Sequence, residues 1–90
     1  MKRQVLSDLL TRHADVKADG DSLNVAEDAE VSLFVAMGIE PLVIDRISSL
    51  KLEDEALVAA TRRNERYVIA YEDVRAVRVH DGSGRAGYSS

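Results

Sequence analysis

The sequence predicts a mainly β domain with one short N-terminal helix, an α+β arrangement in which about seven short strands form a small curved antiparallel sheet or barrel. Three observations carry this expectation. Across residues 42–79 apolar segments follow one another with turn chemistry between them, and the run from Glu65 through Val79 is rich in Val, Ile and Tyr, which suit a half-buried pleated surface. Upstream, Asp19-Gly20 separates two short alternating runs, the strongest local hairpin signal in the chain. Helical spacing of leucines, by contrast, is confined to the start.

At 90 residues there is room for one domain. A chain of this size buries only about 60–65% of its extended surface, so its core is modest and its stability is marginal or shared with a partner. Residues 1–80 are expected to form that domain around a meander at 42–79. Residues 81–90, rich in Gly and Ser, are expected to be a disordered tail. One Phe, three Tyr and no Trp make the core aliphatic. The absence of Cys removes disulfides, thiolate metal sites and cysteine nucleophiles.

The first helix is expected over 2–13, with Val5, Leu6, Leu9 and Leu10 on one stripe. At about three turns it is marginal alone in water, so the stripe needs a sheet to cover. Strands are expected at 15–18 and 22–26 around Asp19-Gly20. A calcium loop starting at Asp15 fails, because Lys17 and Ala26 stand where the third and twelfth ligands belong.

Residues 27–38 admit two readings. Asp28 could cap a second helix over 28–37 that ends at Gly38. The run from Val31 to Met37, with one polar residue, has the length and composition of a buried strand, which is the favoured reading. Gly38-Ile39-Glu40-Pro41 then forms a turn, with Pro41 at a strand start. Residues 42–53 continue as a strand, bent or broken near Ser48-Ser49. A helix over 50–63 is rejected because Glu53 and Thr61 would fall inside its apolar arc, whereas strands at 56–62 and 65–71 joined across Arg63-Asn64 need no such exceptions. Tyr71-Glu72-Asp73-Val74 reads as a tight corner into a last strand, 75–80, with Val77 and Val79 inward and Arg78 and His80 outward.

This inventory fits a small SH3-like or PH-like sheet or barrel. The phrase Tyr67-Val68-Ile69-Ala70-Tyr71-Glu72-Asp73-Val74-Arg75-Ala76-Val77 resembles the closing strand, corner and strand of small bacterial barrels such as the PRC-barrel domain. The resemblance implies a barrel-like fold and carries no function.

Few residues suggest chemistry. His13 and His80 have no Ser or acid at a motif spacing, and a metal would need both to converge with carboxylates from distant segments. Pairs such as Glu72 with Asp73, or Asp19 with Asp21, sit among turn formers rather than in a desolvated pocket. Gly82-Ser83-Gly84 precedes no helix and so lacks the geometry of a phosphate cradle. No catalytic residue, metal or cofactor is therefore expected.

The arginines stand above this background. Arg62, Arg63 and Arg66 surround the hairpin turn, and Arg75 and Arg78 lie on the next strand, so a meander would gather them beside Tyr67 or Tyr71 as a docking patch. The competing reading is a charged strand edge that blocks edge-to-edge association, with cross-strand pairs to Glu65 and Glu72.

The formal net charge of −4 argues against a general nucleic-acid binder, although an acidic segment at 15–30 contrasts with the basic 61–80. Asp8 stands where a signal peptide needs apolar residues, and no window reaches the roughly 18 apolar residues of a membrane span, so a cytoplasmic protein away from the membrane is expected. The expected function is a non-enzymatic interaction or scaffold module of small bacterial type, acting through contacts with a protein partner or with itself as a homo-oligomer. The alternative is a ligand-responsive or nucleic-acid-binding regulator that uses the arginine-rich face.

Overall fold

A computed structural model describes residues 1–36 and 38–80. Met37 at the end of the expected third strand, and the expected tail at 81–90, lie outside the described residues. The order is α1 (Arg3–His13), β1 (Val16–Asp19), β2 (Ser22–Val25), β3 (Glu30–Val35), β4 (Leu42–Ile44), β5 (Ile47–Leu52), β6 (Ala56–Thr61), β7 (Arg66–Ala70), a 3₁₀ turn (Tyr71–Asp73) and β8 (Val74–His80). The fold class is the predicted one, mainly β with one N-terminal helix. The strands form two antiparallel sheets that do not close into a barrel: a five-stranded sheet in the order β1-β2-β5-β6-β7, and a three-stranded sheet in the order β4-β3-β8.

Local chemistry explains most element ends. Gly20, at a φ of 62°, turns β1 into β2, and Gly38, at 63°, lies in the turn between β3 and β4. The segment 28–37 supplies a strand rather than a second helix because Val31, Leu33 and Val35 alternate inward while Ser32 and Phe34 take the other face. In α1, Leu6 and Leu10 are fully buried and Leu9 is half-buried, but Val5 is 46% exposed, so the apolar stripe is narrower than the spacing suggests. The N-cap Lys2 makes no side-chain cap. Arg3 anchors that end instead, donating from Nε and Nη2 to the Leu52 carbonyl at 3.3 and 3.1 Å.

Two expectations about the centre of the chain are corrected. Residues 42–53 are not one strand: the break falls at Asp45-Arg46, where Arg46 takes a φ of 55°, and it divides β4 from β5. The reason is topological, since the chain must leave the three-stranded sheet and enter the five-stranded one there, and the Arg46 carbonyl accepts the Arg62 N–H at 2.9 Å as it does so. The bend expected near Ser48 exists as a separate irregularity, a register shift between Ile47 and Ser49 against β6, with the Ser48 hydroxyl donating to the Ala60 carbonyl at 3.1 Å. The meander is likewise shorter than 42–79: only β5-β6-β7 follow one another in one sheet. After β7 the 3₁₀ turn sends β8 to β3, pairing Val31 with Val79 and Leu33 with Val77.

One core joins the layers. Leu6 and Leu10 from α1, Val31 and Leu33 from β3, Ile47 and Leu50 from β5, Leu57 and Ala59 from β6, and Val74 from β8 belong to a single buried cluster. Each fully buried Leu or Ile contributes about 1.5–3 kcal/mol, so neither sheet has a separate reserve of apolar burial.

Candidate protein-docking edge

The site is built from the β6-β7 hairpin. Thr61 is buried at its mouth, its Oγ1 accepting the N–H groups of Arg63 and Glu65 at 3.2 and 3.3 Å. Asn64 supplies the left-handed residue of the turn, at a φ of 65°. The Thr61 N–H donates to the Glu65 carbonyl at 2.8 Å, which sets the alternation of the ladder. Tyr67 and Ile69, opposite Ala59 and Leu57, direct their backbone groups to β6. Arg66, Val68 and Ala70 direct theirs to the other side, where β7, at the end of its sheet, has no neighbour among the described residues.

Side chains complete this edge. Tyr67 and Ile69 face the interlayer space, and with Leu42 and Ile44 across from them they line a seam cavity of about 210 Å³ where the two layers fail to meet. Arg66 and Val68 face outward, and Val68 is 73% exposed at the middle of the strand. Charge is divided along the edge. Arg63 and Arg66 lie at the hairpin end with Glu65 between them, leaving it net positive, whereas Glu72 and Asp73 lie at the 3₁₀ end, where Asp73 also lines the seam. Glu53-Asp54-Glu55 join that acidic end, because Ala56 pairs with Ala70.

The predicted arginine patch is thus divided. Arg63, Arg66 and Tyr67 share the β7 edge, and Arg75 and Arg78 belong to β8 in the other sheet. Arg62 is committed to the fold: its guanidinium donates to the carbonyls of Ala26, Glu27 and Ala29 at 2.7, 2.7 and 3.1 Å. Arg78 is engaged on the outer face of β3, 2.9 Å from Asp45, 3.4 Å from the Ser32 hydroxyl and 5.5 Å from the Phe34 ring centroid. The anticipated pairs with Glu65 and Glu72 are not formed; among the described residues the ion pairs are Arg3–Asp21, Lys51–Glu53 and Arg78–Asp45. Glu65 instead accepts the Tyr67 hydroxyl at 3.4 Å.

Sequence reasoning missed Val68. It sits in the unbroken apolar run Tyr67-Val68-Ile69-Ala70, where no polar residue marks which alternate positions face water.

Elsewhere the polar groups serve the fold. The Ser32 hydroxyl donates to Asp45 at 2.8 Å beneath Arg78. Tyr71, at the corner between the sheets, donates its hydroxyl to the Glu53 carbonyl, and burial pushes its pKa up against the opposing pull of Arg3. His13 ends α1 beside Leu9, Val77 and Val79, while His80 lies opposite Glu30 at the end of β8. Among the described residues no group of three or more His, Asp or Glu side chains could hold a metal ion, and no helix is long and apolar enough to cross a membrane. Comparison with known proteins returns no family, no curated protein and no solved structure that matches the chain.

Proposed function

We propose that this chain is a non-enzymatic interaction module that engages proteins by accepting an extended strand along β7. The observation that carries the reading is the edge of β7, unpaired among the described residues, with Val68 73% exposed at its centre. Strand addition needs a row of unpaired backbone donors and acceptors for affinity and side-chain positions beside them for selectivity. The edge offers the first through Arg66, Val68 and the Ala70 N–H, and the second through the apolar seam under Tyr67 and Ile69 with charges of opposite sign at its two ends. Short edge strands and edge charges are also how proteins discourage such pairing. The exposed Val68 between the charged ends favours recognition over mere protection. The regulator reading draws no support from the arrangement, since Arg62 and Arg78 are already engaged and Arg75 stands on the other sheet.

Selection of a displayed library of random extended peptides tests the proposal, with wild-type protein and Val68→Pro as baits. Proline at 68 removes an N–H that faces solvent and leaves the β6-β7 ladder intact. Peptides that bind the wild type and are lost on Val68→Pro are the expected result. No selected peptide, or peptides indifferent to the substitution, would overturn strand addition at β7.

A further inference from the structure

The free edge of β7 is complementary to itself, and we infer that its occupant is a second copy of this chain, paired antiparallel with Val68 facing Val68 across a twofold axis. This deepens the proposed docking function and rests on it. The backbone sets the register. Arg66 and Val68 carry outward donors and acceptors and Ala70 an outward N–H, its carbonyl capping the 3₁₀ turn. An antiparallel pair centred on Val68 places Arg66 opposite Ala70, so the outward groups of Val68 pair with their own copies and the Ala70 N–H meets the Arg66 carbonyl. Centring the pair on Arg66 or Ala70 leaves part of that row unmatched.

Charge selects the same arrangement. Each edge has Arg63 and Arg66 at its hairpin end, net positive with Glu65 between them, and Glu72 and Asp73 at its 3₁₀ end. Antiparallel pairing about Val68 brings the basic end of each copy to the acidic end of the other, with Arg63 at the level of Asp73. Parallel pairing would set like charges together, a destabilising arrangement when they stand directly opposite. Apolar side chains agree as well. Val68, 73% exposed, meets its own counterpart on the outer face. On the inner face Tyr67 of one copy stands beside Ile69 of the other, which extends the apolar lining of the seam under the new strand. An interface of this type is isologous and closes at two copies.

Light scattering behind a sizing column, over a range of protein concentrations and at low and high salt, reads the outcome. The expected species has twice the 9.9 kDa chain mass, and its dissociation constant rises by roughly tenfold at high salt as the end charges are screened. Val68→Lys and Val68→Asp, both at an exposed position and both keeping the backbone donors, test the register. Each alone gives a monomer, because like charges face each other across the axis, and an equimolar mixture gives a heterodimer. Arg63→Glu with Arg66→Glu, and separately Glu72→Arg with Asp73→Arg, likewise yield monomers that pair only when mixed. Circular dichroism of each variant verifies that it is folded.

A dimer unchanged by the Val68 substitutions would overturn the inference by placing the contact elsewhere. A wild-type monomer at every concentration would also overturn it. In that case peptides whose binding is lost on Val68→Pro still support β7 as a docking edge for another protein, so the two readings fail separately.

Discussion

At the scale of single residues, the arginines divide by what their guanidinium groups touch. Arg62 binds the loop between β2 and β3 through three carbonyls, contacts that sequence spacing could not disclose because the acceptors lie more than thirty positions upstream. Hydrogen bonds from a charged donor are worth about 1.5–3 kcal/mol when buried, and partial solvent exposure lowers that here. Arg62→Ala is therefore expected to cost about 1–2 kcal/mol in urea unfolding, and Arg62→Lys to recover little of it, because an ammonium cannot reproduce the planar fork.

Tyr71 makes a second prediction at this scale. Burial raises its pKa in the folded protein, and its hydroxyl donates to the Glu53 carbonyl, so the fold favours the neutral phenol. A group whose folded pKa lies above its unfolded value stabilises the fold fully below the unfolded value, about 10 for tyrosine. That contribution is lost as pH rises from there through the folded pKa. Denaturant midpoints measured from neutral to strongly alkaline pH should fall more steeply for the wild type than for Tyr71→Phe, which starts lower and lacks this titration. Parallel profiles would show that the phenol is not the group responsible.

At the scale of elements, alternation was legible where one face is dry and the other wet. The Leu6 and Leu10 stripe and the hairpin at Asp19-Gly20 follow from local pattern alone, whereas the strand 30–35, buried on both faces, was the favoured of two readings. Leu10→Ala should cost about 2–5 kcal/mol, since a fully buried leucine leaves a cavity under α1, while Val5→Ala, on the same predicted stripe but 46% exposed, should stay within about 0.5 kcal/mol.

The break at Asp45-Arg46 was not legible. Asp45 is a turn former, but it stands without Gly, Pro or Asn between apolar Ile44 and Ile47, and the left-handed φ at Arg46 is imposed by the passage between sheets and by the Arg62 N–H that its carbonyl accepts. Arg46→Val, placing a β-branched side chain at a φ of 55°, is expected to cost about 1–2 kcal/mol. Arg46→Gly should be close to neutral, because relief of that strain offsets the greater chain entropy of glycine in the unfolded state. Thermal unfolding of the two variants checks the ordering.

At the scale of the whole molecule, the sequence could not say whether the sheet closes. Leu42-Val43-Ile44 and Tyr67-Val68-Ile69 have the same apolar character whether they pair with each other or end separate sheets, and closure depends on the angle between layers rather than on any local pattern. The structure leaves these strands as the edges β4 and β7, which is why the candidate site lies at Val68 and not among the arginines as a group. An open sandwich of this size still has to unfold as one body. β3 pairs with β8 across fifty residues of sequence, from Glu30 to His80, so the three-stranded sheet cannot form until most of the chain is in place. Its inner residues Val31 and Leu33 share one core with Leu57 of the other sheet. Leu33→Ala and Leu57→Ala should each remove about 2–5 kcal/mol from a total of about 5–13 kcal/mol for a chain of this length. Both losses should appear as one shifted transition, with far-UV circular dichroism and tyrosine absorbance coinciding. A Leu33→Ala protein in which the tyrosine signal of β7 and its corner outlasts a partial loss of strand signal would show that the five-stranded sheet stands without the other, contrary to the single core.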